Sequence, residues 1–125
     1  MSGVTLDAGA LIAIEKNDRR VVAALRLALQ ERLSITVPAG VVGQVWRDGA
    51  RQVRLARLLG ATAVSVEPLD DLRARAAGQL CGARGTKDVI DASVVLSAKA
   101  RGDRIFTSDI AELRVLDPAV ELERV

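Results

Sequence analysis

Short apolar runs alternate with helix-forming segments along the whole chain, and three of the boundaries between them carry aspartates. Val4–Leu6, Ile35–Val37, Ala63–Val66 and Arg104–Thr107 read as short strands. Helical segments are predicted over Ala8–Lys16, Arg20–Leu33, Ala39–Arg47, Ala50–Leu59, Leu69–Leu80, Asp88–Arg101 and Ile110–Val115. Val120–Leu122 reads as an edge strand, Asp48-Gly49 as a break, and Gly82 to Lys87 as a glycine-containing loop. Strands separated in this way need crossover connections, which predicts an α/β protein with a parallel sheet covered on both faces. Functional groups of such sheets gather beyond the carboxyl ends of the strands.

The chain has 125 residues, half of them hydrophobic, which suits one compact domain over 1–125. Cys81, the single cysteine, excludes an internal disulfide and reads as a small buried hydrophobe. No stretch has the pattern of a signal peptide, and none approaches the roughly 20 apolar residues of a membrane helix. The expectation is a soluble, cytoplasmic protein.

There is no histidine, so carboxylates are almost the only side chains for metal binding or acid–base chemistry. Ser-His-Asp and Cys-His plans are excluded, a structural zinc site lacks cysteines, and no P-loop or dinucleotide fingerprint is present. Asp7 and Asp109 directly follow predicted strands and belong on the carboxyl edge of the sheet. Asp88 and Asp91 open a long helix, and their spacing of three sets both on one helix face.

Helix capping accounts for Asp7, Asp88 and Asp109 taken singly, and Asp109 with Glu112 resembles a capping box. Capping explains Asp91 poorly, because its neighbours Val89, Ile90, Ala92, Val94, Val95 and Leu96 are apolar. A buried carboxylate there needs a partner or a cation. If the aspartates meet in space, they specify a hard-cation site for Mg²⁺, with Mn²⁺ as the alternative, and the natural chemistry is phosphodiester hydrolysis.

The net charge is +2, from 18 basic and 16 acidic residues. Setting about four carboxylates aside for a metal site leaves the remainder near +6, a basic body suited to a polyanionic substrate. The competing account is a set of solvated, arginine-rich helices.

The motifs resemble those of a known family. Val-Thr-Leu-Asp7-Ala-Gly-Ala-Leu-Ile looks like the opening motif of PIN domains. Asp91-Ala-Ser-Val-Val resembles their central Asp-Ala helix, and Ile-Phe-Thr107-Ser108-Asp109 their late Thr-x-Asp motif. Order, spacing and length agree across essentially the whole chain, and within the family it looks most like VapC-type toxins. The resemblance implies a three-layer α/β/α fold and a Mg²⁺-dependent ribonuclease, homodimeric and restrained by a small antitoxin protein. It implies Asp7, Asp91 and Asp109 as metal ligands, Thr107 as a supporting hydroxyl, and Asp88 as an additional acidic position.

Two positions depart from the family pattern. Gln44 stands in Pro38-Ala39-Gly40-Val41-Val42-Gly43-Gln44, where the family usually has a glutamate. Its amide offers a carbonyl oxygen but no negative charge. Ala8 stands where many members place a hydroxyl residue. Asp88 is expected to supply the charge that Gln44 lacks.

Arg47, Arg51 and Arg54 are expected on roughly one helical face, with Arg47, Arg51 and Lys87 beside substrate phosphates. An ordinary solvated face is the competing account. Trp46 and Phe106 are the only aromatics, so a base-stacking platform is missing, and Trp46 reads as core or dimer interface. The leading reading is a metal-dependent endoribonuclease toxin. The alternative is a weakened PIN domain acting by RNA or antitoxin binding. A phosphoacceptor receiver domain fits poorly, because the first strand delivers only Asp7.

Overall fold

The computed structural model describes residues 3–125. Its centre is a five-stranded, wholly parallel sheet in the order β3-β2-β1-β4-β5. The strands are β1 (Val4–Leu6), β2 (Ile35–Pro38), β3 (Val64–Glu67), β4 (Arg104–Thr107) and β5 (Leu122–Arg124). The helices are α1 (Ala8–Glu15), α2 (Arg19–Gln30), α3 (Ala39–Val45), α4 (Val53–Gly60), α5 (Asp71–Arg84), α6 (Val89–Arg101) and α7 (Ile110–Leu116). On one face α1 packs against α2, α3 and α4; on the other α5, α6 and α7 pack together. This is the three-layer α/β/α architecture that the sequence resemblance implies.

Val4, Leu6, Ile35, Val37 and Ile105 are fully buried, and Phe106 nearly so. Each such side chain contributes about 1.5–3 kcal/mol by leaving water. α6 is buried on several sides, through Ala92, Val94, Val95 and Ala98, which is why its sequence is apolar almost all round.

From β1 the chain winds outward through β2 to β3, then returns across the sheet to β4 and continues to β5. The winding therefore reverses between β1 and β4, opening a crevice at their carboxyl ends. α3 meets α6 over this edge: a Cβ on Gly40 would lie 2.5 Å from Ile90 Cδ1.

Several boundaries differ from the sequence reading. α5 runs through Gly82 to Arg84, because Ala77 and Cys81 continue its buried stripe, and Gly85 ends it in the left-handed conformation (φ 70°). α2 stops at Gln30; Arg32 turns left-handed (φ 58°) and Leu33 is buried beyond the helix. α4 starts at Val53, since Asp48 to Gln52 form a separate turn. β5 lies at Leu122–Arg124, where it pairs with Ile105–Thr107, while Val120 is a core plug before the strand. Trp46 lies over Gly49 and remains 38% exposed, so it is not a core residue.

Candidate active site at the carboxyl edge of the sheet

The register of β1 and β4 pairs Leu6 with Phe106, and the Asp7 N–H donates to the Phe106 carbonyl at 3.3 Å. Asp7 is thereby set beside the buried Thr107, whose hydroxyl favours its ionised carboxylate. Asp7 Oδ1 also accepts the Ala10 N–H at 2.9 Å and caps α1. Thr107 Oγ1 in turn accepts the Asp109 N–H at 2.8 Å, fixing the start of the loop into α7. Gly9 is required by close approach, since a Cβ there would lie 2.1 Å from Ser108 Oγ.

Asp88 caps α6, its Oδ1 accepting the Asp91 N–H at 2.9 Å. Asp109 caps α7 through the Glu112 N–H at 3.3 Å. Only half of the capping box forms there: Thr107 already takes the Asp109 N–H, and the Glu112 side chain turns toward Asp109 and Asp91. Asp7, Asp88, Asp91, Asp109 and Glu112 line one open cleft of about 490 Å³, with Gln44 and Arg47 on its α3 side.

The electrostatics record crowded negative charge. Burial pushes the Asp91 carboxyl up to about 7, and the charges of Asp88, Glu112 and Asp7 add to it. Burial also raises Asp7, against hydrogen bonds from Thr107 and Ala10 that favour its ionised form. The adjoining Asp109 carboxylate raises Glu112. None of the five carboxylates has an arginine or lysine within ion-pairing distance among the described residues.

The other sequence-predicted residues fall in different places. Lys87 lies in an adjoining recess of about 340 Å³ that shares Asp88, Asp91 and Glu112 with the main cleft. Arg47, Arg51 and Arg54 do not share a helical face: Arg47 follows α3, Arg51 sits in the turn, and Arg54 is on α4. Arg51 pairs with Asp48 at 3.7 Å, and Arg54 donates to the Glu15 carbonyl at 3.4 Å. Glu112, read in the sequence as a cap partner alone, is the carboxylate that sequence reasoning missed. Its place in the cleft depends on Thr107 displacing it from the capping role.

An all-oxygen set of uncompensated carboxylates fits a hard divalent cation by its chemistry. Among the described residues no three acidic or other ligating side chains close into a ready-made ligand set. That spacing accords with mutual repulsion of the carboxylates, and with Mg²⁺ using few protein carboxylates while keeping several waters.

The sequence profile of the PIN domain matches residues 4–117. No curated protein sequence matches the chain. Among solved structures it is similar to VapBC2 from Rickettsia felis bound to a promoter DNA fragment. The identity is 18% and the TM-score 0.71, with 98% of each chain covered. DNA-bound VapBC from Salmonella typhimurium is 18% identical with TM-score 0.70, covering 99% of this chain and 98% of that one. FitAcB from Neisseria gonorrhoeae is 19% identical with TM-score 0.64, covering 95% of each. At these identities the structural likeness speaks for the fold, and the profile match for descent. The chain belongs to the PIN domain family.

Proposed function

We propose that the chain is a single PIN-like nuclease domain, a Mg²⁺-dependent endoribonuclease that serves as the toxin of a toxin–antitoxin pair. The observation that carries this reading is the convergence of five carboxylates, none paired with a basic side chain, on the switch-point crevice of a PIN fold. The fold shared with VapBC and FitAcB supports the toxin role and an antitoxin partner; a homodimeric, cytoplasmic protein is part of the same proposal. No helix among the described residues is long and apolar enough to cross a membrane.

In this reading Asp7, Asp91 and Asp109 hold the ion, with Asp88 and Glu112 adding charge. A bound Mg²⁺ or Mn²⁺ supplies an acidified water and a counter-charge for phosphoryl oxygens. The Thr107 hydroxyl favours the ionised form of Asp7 against the burial that raises it. Gln44 offers an amide to a water or to substrate, and Arg47 offers a guanidinium to phosphate. The test is Mg²⁺- or Mn²⁺-dependent cleavage of structured RNA, abolished by EDTA and by Asp7→Asn. Expression should arrest growth, and Asp7→Asn should relieve the arrest.

The neutral Gln44 in the cleft favours a second reading, a weakened PIN domain acting by RNA or antitoxin binding. Binding without cleavage at any metal concentration would select it.

A further inference from the structure

We propose that Gln52 is a positioning residue that holds Arg47 at the rim of the acidic cleft as a receptor for a phosphate of the RNA backbone, an inference that rests on the nucleic-acid reading above. Gln52 is 6% exposed, and its amide fills all four of its hydrogen-bonding places. Oε1 accepts the N–H groups of Arg47 (2.7 Å) and Asp48 (2.9 Å). Nε2 donates to the Val45 carbonyl (2.9 Å) and to Glu15 Oε2 (3.2 Å). One buried side chain thus ties the end of α3 and the turn after it to the end of α1, the helix that Asp7 caps.

Arg47 is held at its other end as well. Its Nη1 donates to the Trp46 carbonyl at 2.7 Å and the Gly43 carbonyl at 3.2 Å, covering the carbonyl end of α3. Nε and Nη2 make no hydrogen bond among the described residues, and Arg47 forms no ion pair although it lines a cleft with five carboxylates. An untethered arginine there would be drawn onto a carboxylate. Tethering it to carbonyls leaves the carboxylates for a cation and the open side of the guanidinium fork for a phosphate. Neither Arg51, paired with Asp48, nor Arg54, tied to the Glu15 carbonyl, lines the cleft.

The experiment is equilibrium binding of a fluorescein-labelled single-stranded RNA, with Ca²⁺ replacing Mg²⁺, over a range of salt concentrations. Arg47→Ala should weaken binding about 3- to 10-fold and reduce the slope of log K against log salt by about 0.7, one phosphate contact. Gln52→Leu changes no charge, yet it should reduce the slope by a similar amount. The double variant should bind no worse than Arg47→Ala. A Gln52→Leu protein that loses thermal stability but keeps the wild-type slope would show that Gln52 only closes a turn, and would overturn the inference. Should Gln52→Leu not fold, wild-type protein labelled with ¹⁵N-arginine decides: the Arg47 Nε–H resonance shifts on adding RNA, and an unmoved resonance overturns it. RNA binding without cleavage would sink the nuclease reading alone. Cleavage with neither variant altering RNA affinity would sink this inference alone.

Discussion

Thr107 Oγ1 accepts the Asp109 N–H at 2.8 Å, and the same buried hydroxyl lies beside the Asp7 carboxylate that arrives from the neighbouring strand. One fully buried side chain therefore fixes the distance between the carboxyl ends of β1 and β4. Thr107→Val keeps the shape but orphans the Asp109 N–H and removes the hydroxyl beside the Asp7 carboxylate. The expected loss is about 1–3 kcal/mol in urea denaturation, with metal-dependent cleavage falling at least about tenfold. Thr107→Ser should recover most of both. Equal damage by Val and Ser would show that the methyl, not the hydroxyl, matters.

Charge crowding sets a pH dependence for the metal-free protein. In the folded chain Asp91 titrates at about 7, above its ordinary 3.8, and Asp7 is raised as well. The folded state thus holds protons that the unfolded state has released, so this contribution is complete below about pH 4 and is lost as pH rises through about 7. In EDTA, Tm should fall between pH 5 and pH 8. Added Mg²⁺ should remove most of that fall, and Asp91→Asn should flatten it. The lowered Asp117 acts only at lower pH and leaves this window untouched. A metal-free Tm that climbs from pH 5 to pH 8 contradicts the crowding.

Gln44 leaves the α3 side of the cleft without a carboxylate, and Asp88 and Glu112 stand where compensation is expected. Asp88→Asn should reduce metal-dependent cleavage nearly as far as Asp91→Asn, and Glu112→Gln should reduce it by a smaller factor. Calorimetric Mg²⁺ titration provides the independent check, with affinity falling in the same order. Unaltered cleavage and affinity in Asp88→Asn would remove Asp88 from the site.

Gly9 carries a steric prediction. An added Cβ meets Ser108 Oγ at 2.1 Å and the Ser108 Cβ and N at 3.1 and 3.2 Å. Gly9→Ala should cost about 1–3 kcal/mol as the loop into α7 is displaced. Combining it with Ser108→Ala removes the shortest contact and should restore part of the loss in thermal denaturation. If the double variant is additively worse, Ser108 is not the obstacle.

Much of this fold was legible because its signals are local. Apolar triplets such as Val4–Leu6 fit only buried strands, and aspartates with helix-forming sequence behind them cap helices, as Asp7, Asp88 and Asp109 do. Boundaries failed where tertiary contact overrode the local sign. Gly82 stays helical because the buried stripe of Ala77 and Cys81 carries α5 up to it, and Val120 is buried without joining the sheet. The arginines failed for a related reason: helical spacing does not carry across the Asp48-Gly49 break, where Gln52 folds the chain into a turn between α3 and α4.

The sequence by itself determined the parallel α/β class, the family motifs and the aspartates at the strand ends, since each follows from residue type and spacing. Only the tertiary structure decided which carboxylates share a cleft, that Glu112 joins them, and that Arg47 stands unpaired beside them. Those outcomes depend on the β1–β4 register, which sets Thr107 beside Asp7, and on the hydrogen bond that Gln52 makes across the chain. Each bond selects one among several positions open to a polar side chain, and that selection is made by partners distant in sequence.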